Sequence, residues 1–259
     1  MFRIAAFSTS ALALSISAAA AATGIGLTDD RTLVMFDTET LEVTGTMDVE
    51  AVDRLLGIDL RPSDNTLVGV TDDMRIVTID TATGAATDLS TMDTPLEVGD
   101  MPVIVDFNPM ADRLRFMTGT TNYRVNVDTG EVTVDGSLNW MAEDENSEAS
   151  PMIAAAAYIN SYGTPEATAM YNIDSGLGAL LQQTAPNDGT LATIGMLNVE
   201  NPGEMMAFDV QTDAEGANMA WLVTNNTIHS VDLETGAATA AGEIAADGQI
   251  RDLAVLPAM

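Results

Sequence analysis

One short turn recurs five times along the chain, each time between apolar, alternating segments, and this recurrence limits the fold more than any other feature. The copies are Asp37–Leu41, Asp80–Gly84, Asp128–Gly130, Pro186–Gly189 and Asp232–Gly236. An Asp or Asn side chain accepts hydrogen bonds from amides just downstream, and glycine takes positive φ at no steric cost, so each copy reads as a hairpin turn. Successive copies lie roughly 43 to 59 residues apart, the span of one propeller blade.

Four short strands accompany each turn. The clearest set is Leu55–Pro62, Thr66–Thr71, Arg75–Asp80 and Ala85–Ser90. Comparable sets are Pro102–Asn108, Arg113–Thr118, Asn122–Val127 and Glu131–Asp135, then Met152–Asn160, Thr168–Ile173, Ala179–Thr184 and Leu191–Leu197, then Met205–Val210, Asn218–Thr224, Thr227–Val231 and Ala237–Ile244. The amino-terminal part supplies three strands, near Gly24–Thr28, Thr32–Phe36 and Glu42–Asp48, and Ile250–Leu256 is left over as one more. The prediction is an all-β, five-bladed β-propeller of four-stranded antiparallel blades, closed by the carboxyl-terminal strand joining the amino-terminal blade, which removes exposed sheet edges. The same strands could otherwise form a two-sheet sandwich.

Arg3, the apolar run Ile4–Ala19 and the small residues Ala18–Ala22 read as a secretory signal peptide cleaved near Ala20 or Ala22. Residues 1–22 are therefore expected to be a signal peptide, and 23–259 a single propeller domain in the periplasm or the medium. The run is shorter than the ~20 residues a membrane-spanning helix needs, and no later segment approaches that length, so a soluble monomer is expected. The 39 acidic residues against 9 basic ones, all arginine, give a formal charge of -30. Such a surface repels nucleic acid and anionic lipid, so neither is expected as a partner. It reads either as adaptation to salt, which screens self-repulsion, or as the compositional habit of the source.

With no cysteine, neither a disulfide nor a thiolate site is available. His229 is the single histidine, which argues against redox-metal chemistry and against a Ser-His-Asp triad without a Gly-x-Ser-x-Gly elbow.

Aligning the leading strand of every blade places Asp59, Asp106, Tyr158, Asp209 and Asp252 in one column. Side chains two apart share a strand face, so Arg61, Asn108, Asn160 and Gln211 form a second polar column, with Ala254 as the exception. Both columns are expected at the propeller axis, as a channel ring able to bind a ligand. Converging carboxylates raise one another's pKa unless neutralised. Three solutions stay open: loop amides or arginines that tie blades together, a hard cation such as Ca2+, or an organic ligand.

The expected two-residue turn at Gly119-Thr120 sets Phe116 opposite Tyr123 and Arg115 opposite Arg124. Facing like charges are destabilising, so an anion should lie beside them. Asp106 or Asp112 could supply it, or Arg113, Arg115 and Arg124 could grip a ligand carboxylate or sulfate in fork geometry. The acidic stretch Ser137–Ser150 lacks the pattern of an EF-hand loop and reads as a solvated, mobile loop rather than a calcium site.

Several strings together resemble one family: Gly57–Pro62, Asp106–Pro109 with Asp112–Arg115, Ala154–Tyr158, Pro186–Leu191 and Ile250–Val255. From about Gly26 to Leu256 the chain is similar to the secreted bacterial domain of unknown function numbered 4394. The resemblance implies an exported, propeller-like domain and carries no activity, substrate or catalytic residue. The 16 methionines and the absence of lysine look like departures from it. The leading expectation for function is a non-catalytic propeller binding a small ligand, glycan or protein. The alternatives are a glycoside hydrolase-like enzyme using Asp59, Asp106, Asp209 or Asp252 in the channel, which needs only paired carboxylates, and a structural cell-envelope component.

Overall fold

The computed structural model describes residues 22–99 and 101–257, so the expected signal peptide lies, apart from Ala22, outside the described residues. The first sheet contains β1 (Thr23–Thr28), β2 (Thr32–Asp37) and β3 (Val43–Asp48), and the second β4 (Leu55–Arg61), β5 (Thr66–Thr71), β6 (Arg75–Ile79) and β7 (Ala86–Thr91). The third contains β8 (Val103–Asn108), β9 (Arg113–Thr118), β10 (Thr121–Val125) and β11 (Val132–Val134). After β12 (Asn139–Trp140), the fourth contains β13 (Ile153–Tyr158), β14 (Met170–Asp174), β15 (Ala179–Ala185) and β16 (Thr190–Met196). The fifth contains β17 (Met206–Thr212), β18 (Asn218–Thr224), β19 (Thr227–Val231) and β20 (Ala238–Glu243). Last, β21 (Asp252–Val255) pairs antiparallel with β1, placing Gly24 opposite Val255 and Leu27 opposite Asp252.

The inner strands β21, β4, β8, β13 and β17 stand side by side in that order, and β17 returns to β21, so the ring is closed. Burial follows from position in the blade. Inner strands have a neighbouring blade on both faces, and β13 (Ile-Ala-Ala-Ala-Ala-Tyr) is buried throughout. Outermost strands such as β3 and β7 face solvent and hold no fully buried residue. Crowding at the centre also selects small side chains: a Cβ on Gly57 would lie 2.6 Å from Val105 and 2.7 Å from the Asp252 carboxylate.

The recurring turn joins blade to blade. Leu41, Gly84, Gly130, Gly189 and Gly236 have φ of 60°, 77°, 76°, 73° and 81°. Asp37, Asp80 and Asp232 each accept two downstream amides, whereas in the third copy Asn126 rather than Asp128 caps the turn, accepting from the Asp128 N–H. Each glycine then abuts backbone beyond its own hairpin. A Cβ on Gly130 would sit 1.9 Å from the Thr91 carbonyl oxygen of the second blade, whose next-but-one amide, at Asp93, donates to the Gly130 carbonyl at 3.0 Å. Leu41, in the glycine's place, lies over Gly242 of the fifth blade, where a Cβ would be 2.6 Å from Leu41 Cδ1.

One expectation is corrected. The fourth sheet has a fifth strand, because β12 pairs parallel with β16, so the Ser137–Ser150 stretch is folded against the blade's outer edge. Trp140 is buried there and donates from Nε1 to the Ala149 carbonyl at 2.8 Å, while Asp144 accepts the Thr193 amide at 2.7 Å and the Asn146 amide at 2.9 Å. These amides make Asp144 a structural cap and hold its carboxyl below the usual range, although burial opposes them.

Candidate functional site

Asp59 of β4, Asp106 of β8 and Asp209 of β17 meet at the axis, each presenting an oxygen within 4.8 Å of the others. They are 6 %, 4 % and 6 % exposed. Each carboxylate reaches across to the next blade. The Ile58 N–H donates to Asp252 at 2.7 Å, Phe107 N–H to Asp59 at 2.6 Å, Tyr158 N–H to Asp106 at 2.9 Å and Val255 N–H to Asp209 at 2.6 Å. The junction between the fourth and fifth blades lacks such a carboxylate, since Tyr158 occupies that slot. There, Asn160 and Asn218 exchange hydrogen bonds and the Ser161 N–H donates to Thr212.

Burial first, and the facing carboxylates with it, hold Asp59 and Asp106 well above the usual carboxylate range. Burial pushes Asp209 up to about 6, against the pull of two amides. It pushes Asp252 up to about 7, opposed by the Ile58 amide and the nearby Arg251 charge. Among the described residues no guanidinium bonds Asp59, Asp106 or Asp209, and only one oxygen of Asp106 accepts a hydrogen bond. Three oxygens at this spacing suit the reach of a hard cation, whose ligands lie about 2.3–2.6 Å away for calcium.

The arginines are committed elsewhere. Arg61 binds Asp112 and Asp128, joining the second blade to the third, and its partnership lowers the Asp112 carboxyl. Arg251 donates to the carbonyls of Asp29, Leu55 and Leu56. Arg113 turns to the Asp112 carbonyl at 2.9 Å. Arg115 and Arg124 do face each other, with Phe116 opposite Tyr123. Their shared anion is Asp135, neither Asp106 nor Asp112: its Oδ2 accepts from Arg115 Nη1 at 2.7 Å and from Arg124 Nε at 2.6 Å. Asp106 is opposite Arg115 in register, yet its carboxylate is turned to the Tyr158 amide. Arg115, 1 % exposed, also bonds Asn122 and crosses to Tyr158 and Asn187 of the fourth blade.

Members of the second column have partners of their own. Asn108 caps its own turn through the Met110 and Ala111 amides, Asn160 joins Asn218, and Gln211 accepts from Trp221 Nε1 at 3.3 Å. What sequence reasoning missed is Asp135 and a groove. Asp135 was readable: Val134 pairs with Tyr123, which sets Asp135 beside Asn122 and diagonal to Arg124.

The groove crosses the face where the inner strands begin. Cavities of about 280, 300, 360 and 430 Å³ follow one another along it, from His229 and Asn225 at the outer side to Met101, Arg54 and Arg251 near the axis. The connector between the fourth and fifth blades, residues 197–205, with Met206 at the start of β17, lines all four, through Val199, Pro202, Glu204 and Met206 among others.

Five sheets around one axis, with a strand from the far end of the chain completing the first, define a five-bladed β-propeller whose inner carboxylates join successive blades. The chain belongs to the family described as Domain of unknown function (DUF4394), which matches residues 32–254. No curated protein matches it. A structural-genomics protein of unknown function from Bacteroides thetaiotaomicron VPI-5482 is similar in fold, with 15% identity, a TM-score of 0.52 and coverage of 91% of this chain and 61% of that one. The chain thus spans about three fifths of that relative. A protein of unknown function from Bacteroides caccae aligns at 9% identity and TM-score 0.46, covering 92% of this chain and 99% of that one. An auxiliary nutrient binding protein from Bacteroides ovatus ATCC 8483 aligns at 12% identity and TM-score 0.47, covering 76% and 55%.

Proposed function

We propose that this protein is an exported, non-catalytic binding propeller that takes an extended ligand, a glycan or a peptide segment, in the groove along residues 197–206. The observation that carries this reading is the continuity of four cavities along a single inter-blade connector. Apolar Val199, Pro202, Met205 and Met206 alternate there with the polar Asn198, Glu200, Asn201 and Glu204, the mixture that binding sites use for area and orientation. A hydrolytic reading draws no support from the axial carboxylates, which are buried and occupied by backbone amides. Thermal-shift and calorimetric screening against oligosaccharide and peptide panels tests the proposal. A hit should be lost in Val199→Arg and kept in Glu166→Arg, on the opposite face; a hit indifferent to Val199→Arg refutes the groove.

A second reading, a hard cation on the axis, is favoured by the unshared oxygen of Asp106, which faces two further carboxylates with no basic partner among the described residues. Calcium should then raise the melting temperature of the wild type and leave Asp106→Asn unmoved. An equal shift in both places the ion elsewhere.

A further inference from the structure

We propose that the groove contains a soft-metal site, in which the thioethers of Met101, Met152 and Met206 bind a monovalent cation of the Cu(I) or Ag(I) type. The site shares the groove with the preceding reading but does not depend on the extended ligand.

Among the described residues, six of the nine exposed large hydrophobic side chains are methionines: Met101, Met110, Met141, Met152, Met196 and Met205. Four of these line the groove. A surface selected only for apolar contact has no need of sulfur, since leucine or valine covers the same area. What a thioether adds is a soft, neutral donor that no proton competes for, and thioethers select Cu(I) over harder ions.

Three methionines share a single cavity of about 360 Å³. Met101 and Met152 are half-exposed, Met206 is 3 % exposed, and among the described residues Glu204 is the one ionisable residue lining it with them. Met206 is fixed by its place at the start of β17, packed against the core. Met152 is held at the fourth blade's hairpin, where its Sδ lies only 2.7 Å from the position a Cβ on Gly176 would take. Met101 closes the cavity from the connector before β8. The arginines of this face, Arg54 and Arg251, line the neighbouring cavity, on whose wall Met101, Glu204 and Met206 also lie, and neither lines the cavity that contains Met152.

Charge and donor type agree. A protein of formal charge -30 concentrates cations at its surface, and Glu204 can neutralise a bound monovalent ion. Among the described residues its walls carry one carboxylate and neither imidazole nor thiolate, a donor set that offers little to calcium or zinc. His229 lines the cavity at the other end of the groove.

Silver(I) serves as a redox-inert probe, titrated into full-length protein carrying methyl-13C methionine. The Met101, Met152 and Met206 methyl signals should shift together and saturate near one equivalent. Competition with bicinchoninate under ascorbate should show Cu(I) held by the same residues. Leucine keeps the apolar area and removes the sulfur, so Met101→Leu/Met152→Leu should melt as the wild type does and bind silver at least tenfold more weakly. Wild-type affinity in that variant overturns the proposal, as does an equal response at Met110 and Met141. Val199→Arg blocks the groove away from this cavity and should leave silver binding unchanged, so the metal site and the extended-ligand reading fail separately.

Discussion

Replacing Asp106 with asparagine should stabilise the propeller, and only at pH values where the axial ring ionises. The amide retains an oxygen for the Tyr158 N–H, and its NH2 takes the place of the oxygen that accepts no hydrogen bond, facing Asp59 and Asp209. Two unit charges 4.8 Å apart repel by about 3 kcal/mol at an effective dielectric of about 20, so losing one of three charges relieves an energy of that order. The titrations set the pH window. A carboxyl raised in the folded state binds its proton more tightly there than in the unfolded chain. Its contribution to stability is therefore largest below the ordinary value of 3.8 and declines as pH rises, until the folded group has ionised, near 6 for Asp209 and near 7 for Asp252. For Asp209 that decline amounts to roughly 3 kcal/mol. Urea unfolding at fixed ionic strength with a chelator, from pH 4 to pH 8, measures both proteins. Exposed carboxylates that titrate low, such as Asp37 and Asp232, are common to both and cancel in the difference. The variant should match the wild type near pH 4 and gain on it as pH rises, by up to about 3 kcal/mol once the ring carries its charges. A difference that stays flat with pH, or a variant less stable at pH 8, would show that the ring carries no electrostatic strain.

Gly130→Ala should cost about 2 kcal/mol, because its φ of 76° and the Thr91 carbonyl 1.9 Å from the new Cβ both resist a side chain; a urea midpoint unchanged within error would refute the turn's role between blades. Arg115→Leu should destabilise by about 3 kcal/mol, since it strips a buried charge from Asp135 and leaves Asn122 and Asn187 without their donor, whereas Arg113→Leu, which loses only loop carbonyls, should cost under about 1 kcal/mol. Equal losses would contradict the division of labour among the arginines.

Much of the ring is legible in the residues. Thr66–Thr71, Arg113–Thr118, Asn218–Thr224 and Thr227–Val231 match their predicted bounds, because turn residues flank them and their alternation is regular. The axial column is legible too, since the same slot in four leading strands carries aspartate. Partner choice is harder to read. Asp106 and Arg115 are cross-strand neighbours, and nothing local says that one carboxylate prefers an amide of the next blade while the arginine prefers Asp135. The groove was invisible because connectors build it: Asn198–Met206 has no period to follow, and its walls come from residues far apart in sequence, such as Met101, Met152 and Ser175.

The pairing of β1 with β21 also has a kinetic side. As the chain emerges from the ribosome, β1 must wait with one edge bare until residues 252–255 arrive, so the most distant contact in sequence is also the one that locks the molecule. Such closure makes folding slow but opening slow as well, because no blade can peel away from a free end until that latch lets go.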